Sequence, residues 1–564
     1  MTSRTIFITL TIMLIFQTGY AQTLAWAKQF GGTSLANGHS IITDASGNVY
    51  TTGTFKGTVD FDPGPSTSNL TSPSGSDVFT SKLDIAGNFI WAKRIGGTGF
   101  NIGYSIAVDN SGNVFTTGCF QGTADFDPGP NTFNMSASTN SDAFVSKLDA
   151  SGNFVWAKQF IGANSTDEVS IALDASGNIY TTGTFDGTAD FNPGTNTFNL
   201  TSAGLTDVFI SKLDPSGNFI WAKQLGGTAF HYSYSIALDG SGNVYTTGMF
   251  AGTADFDPGA STFNLTAPGT SVGNQDVFIS KLDASGNFIW AKQFGGYGGY
   301  SINVDPFGNV FTTGHFYGTE DFNPGSGTFN LTSSGNSDVF ISKLDASGNF
   351  IWAKKIGGSS AIRGNCITTD ANGNVFTTGY FQGTADFDPN TGNFNLTSAG
   401  TQDIFISKLD ASGNFRWANK LGGVGNDRGF CITVDISDNV FTTGMFRGTA
   451  DFDPSTSSLN LTSYSAEDAF VHKMSQTAVG IIENTFSSQI TIYPNPTNDQ
   501  LTIESKNELQ NLILIIRNLM GQEVLRKNYP FINRIEMTLD GDKGIYFIEL
   551  IEGNKKAILK VIKD

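Results

Sequence analysis

Phe219-Ile220-Trp221-Ala222-Lys223-Gln224 is one of seven versions of a single hexapeptide. The tryptophans fall at Trp26, Trp91, Trp156, Trp221, Trp290, Trp352 and Trp417, so successive copies lie 65, 65, 65, 69, 62 and 65 residues apart. A fixed period of this size marks one supersecondary unit copied along the chain. Reading outward from Trp221, residues 218–223 are rich in aromatic and β-branched types and form a strand. Gly226 and Gly227 open a loop, and Tyr234 to Leu238 is a second strand. A turn at Asp239 to Asn243 leads to a third strand, Val244 to Gly248. A long loop carries Phe250 and Asp255-Phe256-Asp257-Pro258-Gly259, and the fourth strand is Asp276 to Leu282.

The turn Asp-x-x-Gly-Asn recurs within and between copies. Its Asp accepts hydrogen bonds from backbone N–H groups a few residues on, and its Gly takes the positive φ of a tight hairpin. Only the last copy departs, with Asp438 in the glycine position. Asp tolerates the left-handed region better than most residues, so the turn is expected to persist.

Four antiparallel strands repeated seven times predict an all-β protein built on a seven-bladed β-propeller. The array starts with a Trp strand (Leu24 to Gln29) and stops after Asp468 to Met474 with no Trp strand following. The Trp26 strand is therefore expected to complete the last blade, removing two open sheet edges. An open solenoid is the alternative. A tryptophan at one phase of every blade suits packing between blades, with sugar stacking as the competing role. The lysine that follows (Lys28, Lys93, Lys158, Lys223, Lys292, Lys354) reads as a solvated outward position.

Of 564 residues only 15% are charged, while Gly (67) and Phe (48) are abundant, as turns and a β-rich core require. The formal charge is -18, and residues 488–564 are neutral, so the acidity lies in the repeats. Such a surface repels phosphate backbones and excludes nucleic acid as a partner. Three cysteines (Cys119, Cys366, Cys431) cannot pair completely. Cys366 and Cys431 occupy one slot in neighbouring copies where the other five have Ser. A disulfide needs Cα atoms within ~7 Å, and equivalent positions on adjacent blades are expected to lie farther apart.

Tracing strands up and down places both Asp-x-x-Gly-Asn turns at one end and the Gly-Gly and Asp-Phe-Asp-Pro loops at the other. Loop-bearing ends are where scaffolds carry function. Two departures from the period fall at that end in neighbouring copies: four extra residues within Ala267 to Gln275, and three missing after Gly295-Gly296. The candidate binding residues are the loop acids Asp60, Asp62, Asp125, Asp127, Asp190, Asp255, Asp257, Asp321, Asp386, Asp388, Asp451 and Asp453. Oxygens two residues apart can serve calcium, which takes ~6–8 oxygen ligands, or can simply cap the loop ahead of its proline. No other cofactor is indicated.

Catalysis finds little support. The four histidines (His39, His231, His315, His472) have no metal-ligand spacing. Gly269-Thr270-Ser271-Val272-Gly273 fits a nucleophile-elbow pattern but lacks the strand-to-helix context. No odd polar residue stands out from the repeat. The chain therefore reads as a non-enzyme.

Arg4, an apolar run from Ile6 to Phe16 and Gly19-Tyr20-Ala21 read as a secretory signal peptide cleaved after Ala21. No later apolar run is long enough to span a bilayer, so a transmembrane protein is not expected. After Met474 the period stops, and short strands with turns between them predict a small Ig-like β-sandwich. Tyr493-Pro494-Asn495-Pro496, then Gly521-Gln522-Glu523-Val524, then Gly544-Ile545-Tyr546-Phe547 resemble the type A C-terminal sorting domain of the type IX secretion system. The basic end (Lys555, Lys556, Lys560, Lys563) looks like that family's tail. This resemblance implies a Gram-negative source, passage through the type IX machinery, and cargo that is released or fixed to the cell surface. The repeats, with Asp-x-x-Gly-Asn-Val-Tyr-Thr-Thr-Gly, resemble the β-propeller repeat family called SBBP, known mainly as an extracellular binding or structural repeat.

The expected organisation is a signal peptide (1–21), a seven-bladed propeller (22–474), a linker (475–487) and a sorting domain (488–564). The expected function is a secreted or surface-attached, monomeric binding or adhesion module for an extracellular glycan or protein. The alternatives are a polysaccharide hydrolase or lyase and a structural surface-layer protein.

Overall fold

The third strand read from each repeat, Val244–Phe250 in the fourth copy, is Val/Ile-Tyr/Phe-Thr-Thr-Gly-x-Phe, without the polar alternation of a half-solvated strand. Continuous burial of this kind requires cover on both sheet faces, and the computed structural model supplies it by stacking one sheet on the next. It describes residues 19–138, 140–162, 166–269, 275–479, 489–518, 522–553 and 555–564. The signal-peptide expectation for residues 1–18, the linker from 480 to 487, Gly521 and residues 270–274 of the inserted loop lie outside these. Contacts divide the chain into two compact units, Gln22–Gln476 and one containing Thr477–Asp564. Among the described residues there is no α-helix, and no helix is long and apolar enough to cross a membrane.

In the fourth repeat the sheet runs outward from His231–Leu238 through Val244–Phe250 and Asp276–Leu282 to Phe288–Gly295. All neighbours are antiparallel, with Thr246 opposite both Ile236 and Ser280. The outermost strand carries Trp290 and belongs to the next copy of the hexapeptide, so every sheet straddles a repeat boundary. The innermost strands are 36–43, 101–108, 166–173, 231–238, 299–304, 362–369 and 428–434. Each packs against the next, and the last packs against the first. The strand Gly19–Gly32 adds to the outer edge of Asp468–Val479, closing the final sheet as its strand phase requires.

The turns are built as their composition predicts. Asp44 Oδ1 accepts from the backbone N–H of Ser46 and of Asn48, both at 2.9 Å, and Asn48 Nδ2 donates to Asp44 Oδ2 at 2.7 Å. Gly47 has φ of 78°. Asp438 holds φ of 61° in the same role, and the turn survives.

Each sheet is latched to the next at these turns. Trp91 Nε1 and Lys82 Nζ both donate to the carbonyl of Ala150, at 3.3 Å each, while Lys82 Nζ sits 4.9 Å above the Tyr50 ring. Trp221 with Lys212, Trp290 with Lys281 and Trp352 with Lys343 repeat the arrangement. The tryptophans are thus packing residues, buried or half-buried. The neighbouring lysines are half-buried rather than wholly solvated, their stems lying over the turn glycines, as Lys28 does over Gly87.

Thr477–Asp564 forms a β-rich unit in which 490–493, 500–518, 523–538, 544–552 and 555–563 join in one antiparallel sheet. The long strand 500–518 pairs with 490–493 and 523–538, then with 544–552. Leu512, Leu514, Ile548, Leu550 and Val561 centre its core. Asn495 ties its loop to the final strand: Nδ2 donates to Lys560 O at 2.8 Å, and Oδ1 accepts from Ile562 N–H at 2.9 Å. Tyr493 Oη donates to Glu504, Tyr546 Oη donates to Asp542 O, and Lys563 Nζ donates to Leu539 O and Gly541 O.

Candidate functional site at the mouth of the central cavity

The seven innermost strands surround a cavity of about 430 Å³. Two consecutive positions per strand line it. The second is Ser40, Ser105, Ser170, Ser235, Ser301, Cys366 or Cys431. The first is His39, Tyr104, Val169, Tyr234, Tyr300, Asn365 or Phe430. The first position varies from copy to copy, whereas the two residues after it are Ser-Ile or Cys-Ile in all seven. This irregular column escaped the sequence reading, which found no odd polar residue; variability next to an invariant Ser/Cys-Ile pair was the available signal.

Aromatic and basic residues concentrate in the fourth to seventh repeats. Phe230, Tyr232 and Tyr234 stack in succession, each pair 6.4 Å apart. Tyr234 meets Tyr300 at 5.1 Å, and Tyr300 stacks on His315 at 5.5 Å with 12° between planes. Tyr297 packs 5.2 Å from His315. Arg363 lies 5.8 Å above Tyr300, and Arg428 lies 4.9 Å above Tyr380 while donating to Gln402 Oε1 at 2.6 Å. Arg363 and Arg428 fall two residues before the cavity-lining Asn365 and Phe430, on the side of the Gly-Gly loops. A cationic, aromatic arc therefore marks one side of the long-loop end of an otherwise acidic molecule.

His315 is fully buried. Burial, and then the Arg363 charge, hold it down to about 3, so its ring is neutral and Nε2 pairs with Tyr317 Oη at 3.2 Å. The shortened loop after Gly295-Gly296 brings Tyr297 and His315 together: Tyr297 N–H donates to His315 O at 2.9 Å.

The predicted loop acids cap their own loops through Oδ1. Asp60 Oδ1 accepts from the N–H groups of Asp62 (3.0 Å) and Ser68 (2.8 Å), and Asp62 Oδ1 accepts from Gly64 N–H (2.8 Å). The same capping recurs at Asp125 and Asp127, at Asp190, at Asp255 and Asp257, at Asp321, at Asp386 and Asp388, and at Asp451 and Asp453. The intervening phenylalanines, from Phe61 to Phe452, are buried. Among the described residues no group of three or more His, Cys, Asp or Glu converges as a metal site.

A second set of acids went unread. The Asp that opens each fourth strand, as Asp276 does, is buried and meets the side chain three residues after the repeated Trp. Arg94 Nε reaches Asp77 at 2.5 Å, Lys355 reaches Asp338 at 3.3 Å and Lys420 reaches Asp403 at 3.5 Å, while Gln29 donates to Asp468 at 2.6 Å. These carboxylates also accept from the Gly-Gly loops, as Asp77 does from Gly97 N–H. In the fifth repeat Glu320 replaces the usual alanine. Burial, and less strongly the Glu320 charge, push Asp276 up to about 6.

The two cysteines expected to stand apart are neighbours. Cys366 Sγ and Cys431 Sγ are 3.4 Å apart, both as free thiols, because innermost strands converge at the axis where spacing between sheets is smallest.

Comparison with known proteins agrees with this architecture. A family model described as a secretion system C-terminal sorting domain matches residues 491–564. One described as a beta-propeller repeat matches residues 25–54, 90–118, 220–249 and 351–383. An uncharacterized WD repeat-containing protein of Acanthamoeba polyphaga mimivirus is 26% identical over 499 residues, 75% of this chain and 36% of that protein. The regulatory protein FlaEY of Caulobacter vibrioides is 27% identical over 178 residues, 31% of this chain and 18% of that protein. The chain thus spans about a third of the first relative and under a fifth of the second. It carries SBBP β-propeller repeats and a type IX sorting domain, which directs export to the cell surface or the extracellular space.

Proposed function

We propose that the exported chain is a seven-bladed propeller acting as a binding and adhesion module, and that its ligand is an extracellular glycan bearing carboxylate groups. The arc from Phe230 through Tyr300 and Arg363 to Arg428 carries this reading. Flat aromatic faces offer stacking area to sugar rings, and a guanidinium forms bidentate hydrogen bonds with a carboxylate. An overall charge of -18 repels polyanions in general, so two arginines set among aromatics define where an acidic sugar is accepted. The loop acids frame the rim by holding the loops in shape. Titration of the purified chain with a soluble polyuronate and with its neutral, carboxyl-reduced counterpart tests the reading. Saturable binding of the acidic polymer alone is expected, and equal binding of both, or of neither, rejects it.

A second reading, cleavage of a polysaccharide, draws on the Asp276 and Glu320 pair, since a carboxyl near 6 beside another carboxylate is suited to proton transfer. Product release measured in the same titration, and lost in Asp276→Asn, would favour it over simple binding.

A further inference from the structure

The cavity-lining serines form a circular set of joints. Ser40 Oγ accepts from Ile106 N–H in the next sheet (3.4 Å), and Ser105 does so from Ile171 (3.4 Å). Ser170 accepts from Ile236 (3.4 Å), Ser235 from Ile302 (3.2 Å) and Ser301 from Ile367 (3.2 Å). At the last two joints thiols stand in. Cys366 Sγ lies 3.7 Å from Ile432 O, and Cys431 Sγ lies 3.9 Å from Ile41 O. These sulfur contacts are weaker than the hydroxyl bonds they replace; the first joins the sixth sheet to the seventh, and the second joins the seventh to the first. The two sulfurs lie against one another at 3.4 Å, half-buried and facing the cavity.

We propose that Cys366 and Cys431 form a disulfide across the joint between the last two innermost strands once the chain has left the cytoplasm. A bond length of 2.03–2.05 Å requires the sulfurs to approach by about 1.4 Å, between strands that already pack together. The sorting domain sends the chain to compartments where disulfides persist.

The oxidant is an incoming disulfide, on a protein or a small molecule. The Cys431 thiolate attacks one of its sulfurs, and a thiolate leaves. Cys366 then yields its proton to solvent and attacks Cys431 Sγ in the mixed disulfide, expelling the second thiolate. One S–S bond replaces two S–H bonds in the protein, and two electrons and two protons reduce the incoming disulfide to two thiols. A hydrogen bond from Cys366, partly opposed by burial, lowers the Cys431 thiol below its ordinary value, which suits it to the first attack.

The test is thiol counting on the full chain, exported, purified without reductant and denatured with excess maleimide. One labelled cysteine, Cys119, is expected, together with a Cys366–Cys431 cross-linked peptide in the non-reduced digest. Reduction should raise the count to three and lower the unfolding midpoint. Cys366→Ser supplies the residue used at the five other joints; it should label at Cys119 and Cys431, and its midpoint should not respond to reductant. Three labels without reduction, persisting after folded protein is incubated with excess oxidised glutathione, would overturn the proposal. So would a disulfide linking two chains.

Discussion

Lys473, in the last repeat, donates a 3.1 Å hydrogen bond to the carbonyl of Ile85, in the first. Trp26 Nε1 reaches the same oxygen at 3.2 Å, so the latch between ordinary neighbours also joins the two ends of the array. Lys473→Ala should cost about 1–3 kcal/mol, the loss of a charged hydrogen bond, and should hasten proteolysis near the first Trp strand. Lys281→Ala, at an interior latch, should lower the unfolding midpoint similarly without exposing that strand. Limited proteolysis with mass mapping separates the two.

Gln29 and Asp468 form the seam of the closing sheet. Three other copies place Arg94, Lys355 or Lys420 opposite the same buried carboxylate. Gln29→Lys should therefore stabilise the protein at pH 7, by up to about 1 kcal/mol for a partly exposed partner. Denaturant unfolding of the variant at low and high salt reads the gain, which should shrink with salt.

Asp427 stands where the second repeat has Asn101, whose amide donates to Asp77 at 3.1 Å. Here an acid faces an acid: burial first, and Asp403 in addition, raise Asp427 to about 6 against bonds from Arg447 and Gly423 N–H. A carboxyl raised on folding contributes its full stability below its unfolded pKa, about 3.9, and loses it as pH climbs through about 6. Asp427→Asn should leave the midpoint near wild type at pH 4 and raise it at pH 7.5 by the equivalent of roughly 1–3 kcal/mol. Thermal unfolding at the two pH values decides.

Arg363→Ala should weaken polyuronate binding by about tenfold or more, the worth of one charge-assisted contact. The melting temperature should shift little, since the guanidinium is half-exposed. Calorimetric titration of Arg363→Lys tells whether the flat fork, rather than charge alone, is required.

In the sorting unit, Asn495→Ala removes two bonds to the final strand and should lower its stability by about 1–3 kcal/mol. Less cargo should then reach the medium or the cell surface, read by blotting fractions of an exporting strain.

The propeller was legible because its determinants are periodic. Trp26 to Trp417, the Asp-x-x-Gly-Asn turns and the buried phenylalanines recur at one phase, and repetition separates them from chance. The strand phase also disclosed where the ring shuts. The arc was hidden for the converse reason: Tyr234, Tyr300, Asn365 and their counterparts carry information where repetition fails. Asp60 and its equivalents drew notice by recurring, and recurrence here marks loop capping. The contact between Cys366 and Cys431 depends on strand separation near the axis, a distance that spacing along a chain does not encode.

Because every sheet borrows its rim strand from the following copy, no single 65-residue copy owns a whole sheet. Unequal crossover between copies, at any matching point, would add or excise one unit and still leave each sheet with four strands. Ring circumference can then vary in whole steps during descent without passing through an intermediate that bares a raw edge.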